Sequence, residues 1–258
     1  MTGSVTTAVS NGVCTVTLSN PGKRNAIGFE MLRDLIETFE SLNVSDEHHV
    51  VVLRGEGNKA FSAGFDLTVD RTEQTEEEKQ LWPKMIQTIE SYDYPTIAMI
   101  NGATYGGAME VISTCDLRIG VKDATFGITP AKIGLVYKGT SIQRVVRVVG
   151  FPNAKELLYT GEGIDAERAK EMGLLNHLVS RDELEETSYE LATTIAKNAP
   201  LSLKYMKDIF RNLESTGTPS EMEQMWVRRV RDEVFASEDH KEGIAAFSEG
   251  REPNFIGK

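Results

Sequence analysis

The run His49–Leu53, HVVVL, has no polar face. A strand that is apolar on both sides has to be covered on both sides, which is the situation of a parallel strand lying between layers of other structure. A second such run follows at Thr96–Ile100, TIAMI, and a third strand-like piece at Leu117–Val121. Helical patterns separate them. Phe29, Leu32, Leu35, Ile36, Phe39 and Leu42 recur at spacings of three and four or their sums, which predicts an amphipathic helix over Phe29–Leu42. AMEVIST, after the second run, opens another. Strand and helix alternate, so the chain is expected to be α/β.

Ahead of this body, Val5–Val9 and Val13–Leu18 alternate around Asn11-Gly12, the pair that suits a tight hairpin turn. From Ser141 onward the pattern is mostly helical apart from Asn176–Val179. Helices are expected at Ala166–Met172, Asp182–Lys197, Leu201–Leu213 and Ser220–Phe235. The division is an α/β core over 1–198 and a helical C-terminal region over 199–258. Met222, Trp226, Val230 and Val234 form an apolar stripe in that region, able to pack on this chain or on a neighbouring subunit. The densest charge run, Thr72–Lys79, reads as a solvated helix start or loop.

With 258 residues, 40% of them hydrophobic, the chain can bury a large core, so a disordered chain or a disulfide-held miniprotein is excluded. Its net charge of −11 opposes a nucleic-acid coat but leaves room for a local cationic cluster that holds a small anion. No apolar run is long enough to cross a bilayer, and the first residues lack a basic stretch followed by an apolar one, so neither a membrane span nor a secretory signal is expected. Cys14 and Cys115 form no pairing pattern, in keeping with a cytoplasmic setting.

Two glycine turns are the places for chemistry. Ala60–Leu67, AFSAGFDL, and Asn101–Glu110, NGATYGGAME, each follow a strand, and the second opens a helix. Glycine lets backbone approach a ligand, and a helix start presents unpaired N–H donors. Two such donors facing one point would form an oxyanion hole worth about 3–4 kcal/mol per donor. The second turn is not GxGxxG, no GK[ST] follows it, and GxSxG occurs nowhere, so dinucleotide, phosphate-loop and serine-hydrolase readings fail. The four histidines have no metal-ligand spacing. Glu110 stands in an apolar run, where desolvation would suit it to acid–base work, unless it faces solvent. Tyr137, in GLVYKG, is a further candidate.

Together these segments resemble the enoyl-CoA hydratase/isomerase (crotonase) family. The resemblance spans nearly the whole chain: NPGKRNAI at Asn20–Ile27, the two glycine turns, CDLRIGVKDATFG at Cys115–Gly127, TGEGIDAERAKEMGLLNHLV at Thr160–Val179, and FSEGREPNF at Phe247–Phe255. It implies a spiral of ββα turns with a helical C-terminal region that builds homotrimers, often paired into hexamers. It implies stabilisation of a thioester enolate by the backbone N–H groups of Phe65 and Gly107. By the same carry-over, Lys23, Arg24, Ala26, Ala63, Asp66 and Leu67 would surround coenzyme A, which is part of the substrate, so no separate cofactor or metal is implied.

Hydratases of the family use two glutamates. The first matches Glu110; where the second is expected, this chain has Thr129-Pro130. That segment, with Tyr137, GGAME, NHLV and SEDHKEGIAAF, resembles the methylmalonyl-CoA decarboxylase branch, which implies loss of CO₂ from a malonyl-type thioester with Tyr137 orienting the carboxylate. Two departures accompany the match. Phe65 stands where that branch has histidine, and Gly250 stands where relatives carry a CoA-phosphate lysine, with Arg251 beside it. A hydratase or isomerase using Glu110 alone is the alternative, and a non-catalytic acyl-CoA binder is the alternative of another class.

Overall fold

The computed structural model describes residues 3–45, 47–69, 74–216 and 220–258. Strands β1 (Ser4–Ser10) and β2 (Val13–Ser19) pair as the expected hairpin. Asn11 and Gly12 between them both have positive φ, 51° and 73°, the mirror-image turn whose twist matches that of the strands. Helix α1 (Phe29–Leu42) follows and buries Met31, Leu32, Leu35, Ile36, Phe39 and Leu42.

A strand–strand–helix unit then occurs three times. It runs β3 (Val50–Gly55), β4 (Ala60–Ser62), α2 (Glu76–Ser91); then β5 (Thr96–Ile100), β6 (Ala103–Tyr105), α3 (Gly107–Thr114); then β7 (Leu117–Val121), β8 (Thr125–Gly127), a 3-10 turn at Pro130–Ile133 and α4 (Gly139–Thr160). After these come β9 (Ile164–Asp165), α5 (Ala166–Glu171), β10 (His177–Val179), α6 (Leu184–Ala196), α7 (Pro200–Thr216), α8 (Glu221–Ala236) and α9 (Glu238–Glu249). The first strand of each unit joins a six-stranded sheet, β1-β2-β3-β5-β7-β10, parallel apart from the hairpin. The second joins a four-stranded sheet, β4-β6-β8-β9, in which β4, β6 and β8 are parallel. The chain is therefore a spiral of ββα turns.

The apolar runs explain this layering. Val50, Val51 and Val52 are fully buried and so is every residue from Ile97 to Ile100; α6 lies along β2, β3, β5 and β7 on one side. Strand pieces of three residues within AFSAGFDL and NGATYGG carry no alternation long enough to read, so the second sheet was invisible as periodicity.

Of the charge run, Thr72 and Glu73 lie outside the described residues, and Thr75 caps α2 reciprocally with Glu78. Long α4 is broken at Gly150, whose φ of 74° stands two residues before Pro152. Val230 is buried while Met222 is 80% exposed, so the stripe on α8 is half used within the chain. Among the described residues no helix is long and apolar enough to cross a membrane, and no group of three or more His, Cys, Asp or Glu is placed to hold a metal ion. Cys14 and Cys115 are free and buried.

His48 is 1% exposed, stacked on Tyr92 with ring centroids 6.3 Å apart, and neither of its ring nitrogens has a hydrogen-bond partner. Burial, and then the neighbouring His49, hold it below the usual histidine pKa, with Glu47 opposing. The unfolded chain takes up this proton near pH 6.5 and the folded chain only at lower pH, so stability is full above about 6.5 and falls as pH drops below it. Denaturant titrations at pH 7.5 and 5.5 are expected to show this loss, and His48→Phe to lessen it; an undiminished slope in the variant would remove His48 as its source.

Candidate active site

The turns that follow β4, β6 and β8 converge on a cavity of about 620 Å³, whose lining includes Ala63 and Phe65 from the first, Gly106 and Gly107 from the second, and Thr129 and Pro130 from the third. Ligand crevices at the carboxyl ends of parallel strands are a general consequence of such topology.

The first turn is held by NPGKRNAI. Pro21–Lys23 is a 3-10 turn, and Arg24 and Asn25 follow with φ of 53° and 55°. The buried Asn25 side chain accepts from the Asn20 amide (3.0 Å) and donates to the Glu56 and Ala60 carbonyls (3.0 and 2.9 Å). The Ala63 amide donates to the Arg24 carbonyl at 2.9 Å, Ile27 to Gly64 at 2.8 Å, and Asp66 to the Ile27 carbonyl at 3.0 Å. Ile27 thus bonds to the residues on either side of Phe65, as in parallel pairing, and the N–H of Phe65 points away from Ile27.

The second turn meets the first directly. Gly106, with φ 57° and ψ −128°, caps α3, and its amide donates to the Gly127 carbonyl at 2.9 Å. Gly107 is the first residue of α3, so its N–H has no partner within the helix. A Cβ on Gly64, where φ is +83°, would lie 2.5 Å from the Gly107 nitrogen and 2.7 Å from the Tyr105 carbonyl oxygen. The two backbones touch because Gly64 carries no side chain, and a side chain on Gly107 would strike Trp82.

Glu110 lies one turn along α3 and is 4% exposed, which settles its direction: it faces inward. It is not left in apolar surroundings. Oε2 accepts from Trp82 Nε1 at 2.9 Å and Oε1 from Arg144 Nη1 at 3.1 Å. The other terminal nitrogen of Arg144 reaches Glu90 at 2.6 Å, and Glu90 is also paired with Arg147 at 3.3 Å. Trp82 covers Gly107 and meets Phe65 edge-on, centroids 6.0 Å apart, while Phe65 meets Phe29 at 5.6 Å. Tyr137 is half-buried in the cavity wall, and its hydroxyl has no hydrogen-bond partner. Burial, and then the Glu110 carboxylate, push its pKa above the usual phenol value.

At the cavity's outer side, Ala63 and Leu67 are exposed and Ala26 is buried. Lys23 donates to Asp66 and Thr68, both at 2.7 Å. Burial would raise the pKa of Asp66, but the bonds from Lys23 and Thr68 outweigh it and hold the carboxyl below its ordinary value. The expected cationic patch is therefore partly offset at Lys23; both Lys23 and Arg24 are exposed, and only Lys23 is held in an ion pair among the described residues. Arg251 is engaged by Glu242 at 2.6 and 2.9 Å and by Glu249 at 2.6 Å, so its guanidinium is already paired, and Gly250 ends α9 at a φ of 68°.

Comparison with known proteins decides the family. The family model for enoyl-CoA hydratase/isomerase matches residues 8–258. The chain belongs to the enoyl-CoA hydratase/isomerase family. It is 33% identical to a methylmalonyl-CoA decarboxylase of Escherichia coli over 253 residues, covering 96% of this chain and 95% of that one. It is 32% identical to a short-chain-enoyl-CoA hydratase of Clostridium acetobutylicum, covering 93% and 92%. Among solved structures, an enoyl-CoA hydratase from Bacillus anthracis superposes with a TM-score of 0.91 at 30% identity, covering 98% of this chain and 99% of that one.

Within this family member, sequence reasoning missed Trp82, Glu90 and Arg144. The first two lie on α2, whose buried stripe of Leu81, Met85, Ile86 and Ile89 is a helical pattern that could have located the element. No local signal joins them to Glu110.

Gly64→Ala is expected to destabilise the fold by about 1–3 kcal/mol, because a methyl group would overlap the start of α3. Gly22→Ala, at a position with open space around it, is expected to stay within about 0.5 kcal/mol of the parent. Equal denaturation midpoints for the two variants would contradict the contact.

Proposed function

We propose that this family member acts on an acyl-CoA thioester through an enolate, and that its reaction is decarboxylation of a malonyl-type acyl-CoA. The observation that carries the choice of reaction is the cavity's acid–base inventory. Three glutamates line it, but Glu78 caps α2 and Glu90 is paired with Arg144 and Arg147, so Glu110 is the one buried carboxylate of the lining among the described residues, and Thr129-Pro130 stand where a second would be needed. Adding water across a double bond requires a base for the water and an acid for the α-carbon, and a single carboxylate serves both poorly. Decarboxylation requires no general base.

In this reading the thioester oxygen accepts from the Phe65 and Gly107 amides, each worth about 3–4 kcal/mol as negative charge develops. The contact between Gly64 and Gly107 supports their convergence. The Tyr137 hydroxyl, buried and unpartnered, donates to the substrate carboxylate. Its raised pKa keeps it a protonated donor across the neutral range. The bond from the α-carbon to the carboxylate breaks, CO₂ leaves, and the electron pair moves into the carbonyl to give the enolate. The α-carbon then takes a solvent-derived proton whose donor Glu110 orients. Ala26, Ala63, Asp66, Leu67 and Lys23 border the coenzyme A portion, with Arg24 as the cation that no ion pair holds among the described residues.

Self-association belongs to the same proposal. The chain exposes 13,536 Å², where a compact protein of 28.6 kDa exposes roughly 11,000 Å². Met206, Phe210, Met222, Met225 and Phe247 contribute apolar surface on α7, α8 and α9. That excess supports self-association, and a homotrimer or hexamer is the form that the family resemblance implies.

The test offers purified protein methylmalonyl-CoA, ethylmalonyl-CoA, crotonyl-CoA and a 3-enoyl-CoA, with products read by mass. Loss of CO₂ from a malonyl ester is expected. Hydration or isomerisation instead would assign the Glu110-only reaction, and binding without turnover a non-catalytic role. Tyr137→Phe is expected to lower decarboxylation about tenfold to hundredfold, the value of a hydrogen bond to a charged group. Glu110→Gln is expected to lower it about a hundredfold or more. Unchanged rates would withdraw the respective role.

A further inference from the structure

We infer that Trp82 and Arg144 are positioning residues that fix the Glu110 carboxylate from opposite sides, and that Glu90 aims Arg144. The kinetic part of this inference rests on the role proposed for Glu110; the geometric part does not.

The carboxylate is reached from two other helices. Trp82 on α2 donates to Oε2 at 2.9 Å, and Arg144 on α4 donates to Oε1 at 3.1 Å. A glutamate has several rotatable bonds, and holding one rotamer costs about 1.5–2 kcal/mol of side-chain freedom. Two donors in different directions supply that restraint, and each donor is itself held. The Trp82 ring packs so closely over Gly107 that a Cβ there would lie 2.5 Å from it, and it meets Phe65 edge-on. One ring thus touches the glycine that opens α3, the residue at the centre of the other turn, and the carboxylate between them.

Arg144 is held by charge. Its Nη2 lies 2.6 Å from Glu90 Oε2, Arg147 holds the second oxygen of Glu90 at 3.3 Å, and Glu214 of α7 lies 3.5 Å from Arg147. The signs alternate along Glu110, Arg144, Glu90, Arg147 and Glu214, and Arg211 of α7 donates to the Glu90 carbonyl at 2.9 Å. Two carboxylates already offset the guanidinium of Arg144, so it orients Glu110 and does not serve as the anchor of a substrate anion. Both of its terminal nitrogens are used, at a fixed spacing that a lysine ammonium lacks.

The test reads the indole N–H directly. The sequence has two tryptophans, Trp82 and Trp226, so a ¹H–¹⁵N spectrum of the labelled full-length protein has two indole resonances, and Trp82→Phe assigns them by removing one. Glu110→Gln is expected to shift the Trp82 resonance and leave that of Trp226 in place. Arg144→Lys is expected to shift it too, because the carboxylate swings once its opposite anchor is lost, and to lower kcat about a hundredfold with KM within about threefold. Glu90→Gln is expected to do both to a smaller extent, and it carries the comparison should Arg144→Lys fail to fold. Lys84→Ala, on the exposed face of α2, is expected to do neither. A Trp82 resonance unmoved by Glu110→Gln, or unmoved by both Arg144→Lys and Glu90→Gln, would overturn the inference. Should the wild-type protein turn over none of the acyl-CoA esters, the decarboxylase proposal fails, and the indole comparison still decides the clamp.

Discussion

The closest constraint in this molecule is the contact between two stretches of backbone that come from different units of the spiral. Gly64 and Gly107 approach within a distance that no Cβ could occupy. Because the start of α3 touches the turn after β4, the cavity has a wall made of peptide groups instead of side chains. Everything else about the site follows from that closeness. Trp82 can pack against Gly107 only because that residue has no side chain, and Glu110 accepts from the N–H of the same ring from one turn further along the same helix.

NPGKRNAI makes the contact possible. It is a loop that behaves as a brace: Asn25 ties it to the Glu56 and Ala60 carbonyls, and Ile27 lies alongside Phe65 as an isolated parallel bridge. With one edge of the turn occupied by Ile27, the Phe65 amide is directed away from it. The brace uses its own charge internally, since Lys23 is paired with Asp66, and the proposed coenzyme A side therefore depends on Arg24 more than the sequence alone suggests.

The interior polar chemistry is concentrated in one chain of charges. Glu110, Arg144 and Glu90 join α3, α4 and α2 in the wall of the cavity, and each of these charges has a neighbour of opposite sign. Breaking such a pair on one side leaves an uncompensated charge and is strongly destabilising. The same chain continues through Arg147 and Glu214 to α7, so the helical C-terminal segment is electrically connected to the site without lining it.

Periodicity and composition were enough for the strands β3, β5 and β7, the hairpin and helix α1, because burial on both faces or on one stripe writes itself into consecutive residues. Motif order was enough for the family and for the pieces of backbone that form the cavity, because positive φ at Gly64 and Gly106 is a local need of the chain, whereas the need for glycine at 107 comes from Trp82. Periodicity did not reveal the second sheet, whose strands are two or three residues long and which only the family resemblance implied, or the direction of Glu110. Nor did it join Trp82, Glu90 and Arg144 to that carboxylate. Those partners stand 28, 20 and 34 positions from Glu110, on helices whose relative placement is set by the packing of the whole spiral. What a residue needs from its neighbours along the chain is legible in order and spacing. Which distant side chains share one hydrogen bond is fixed only when the core has assembled, and tertiary structure alone decides that.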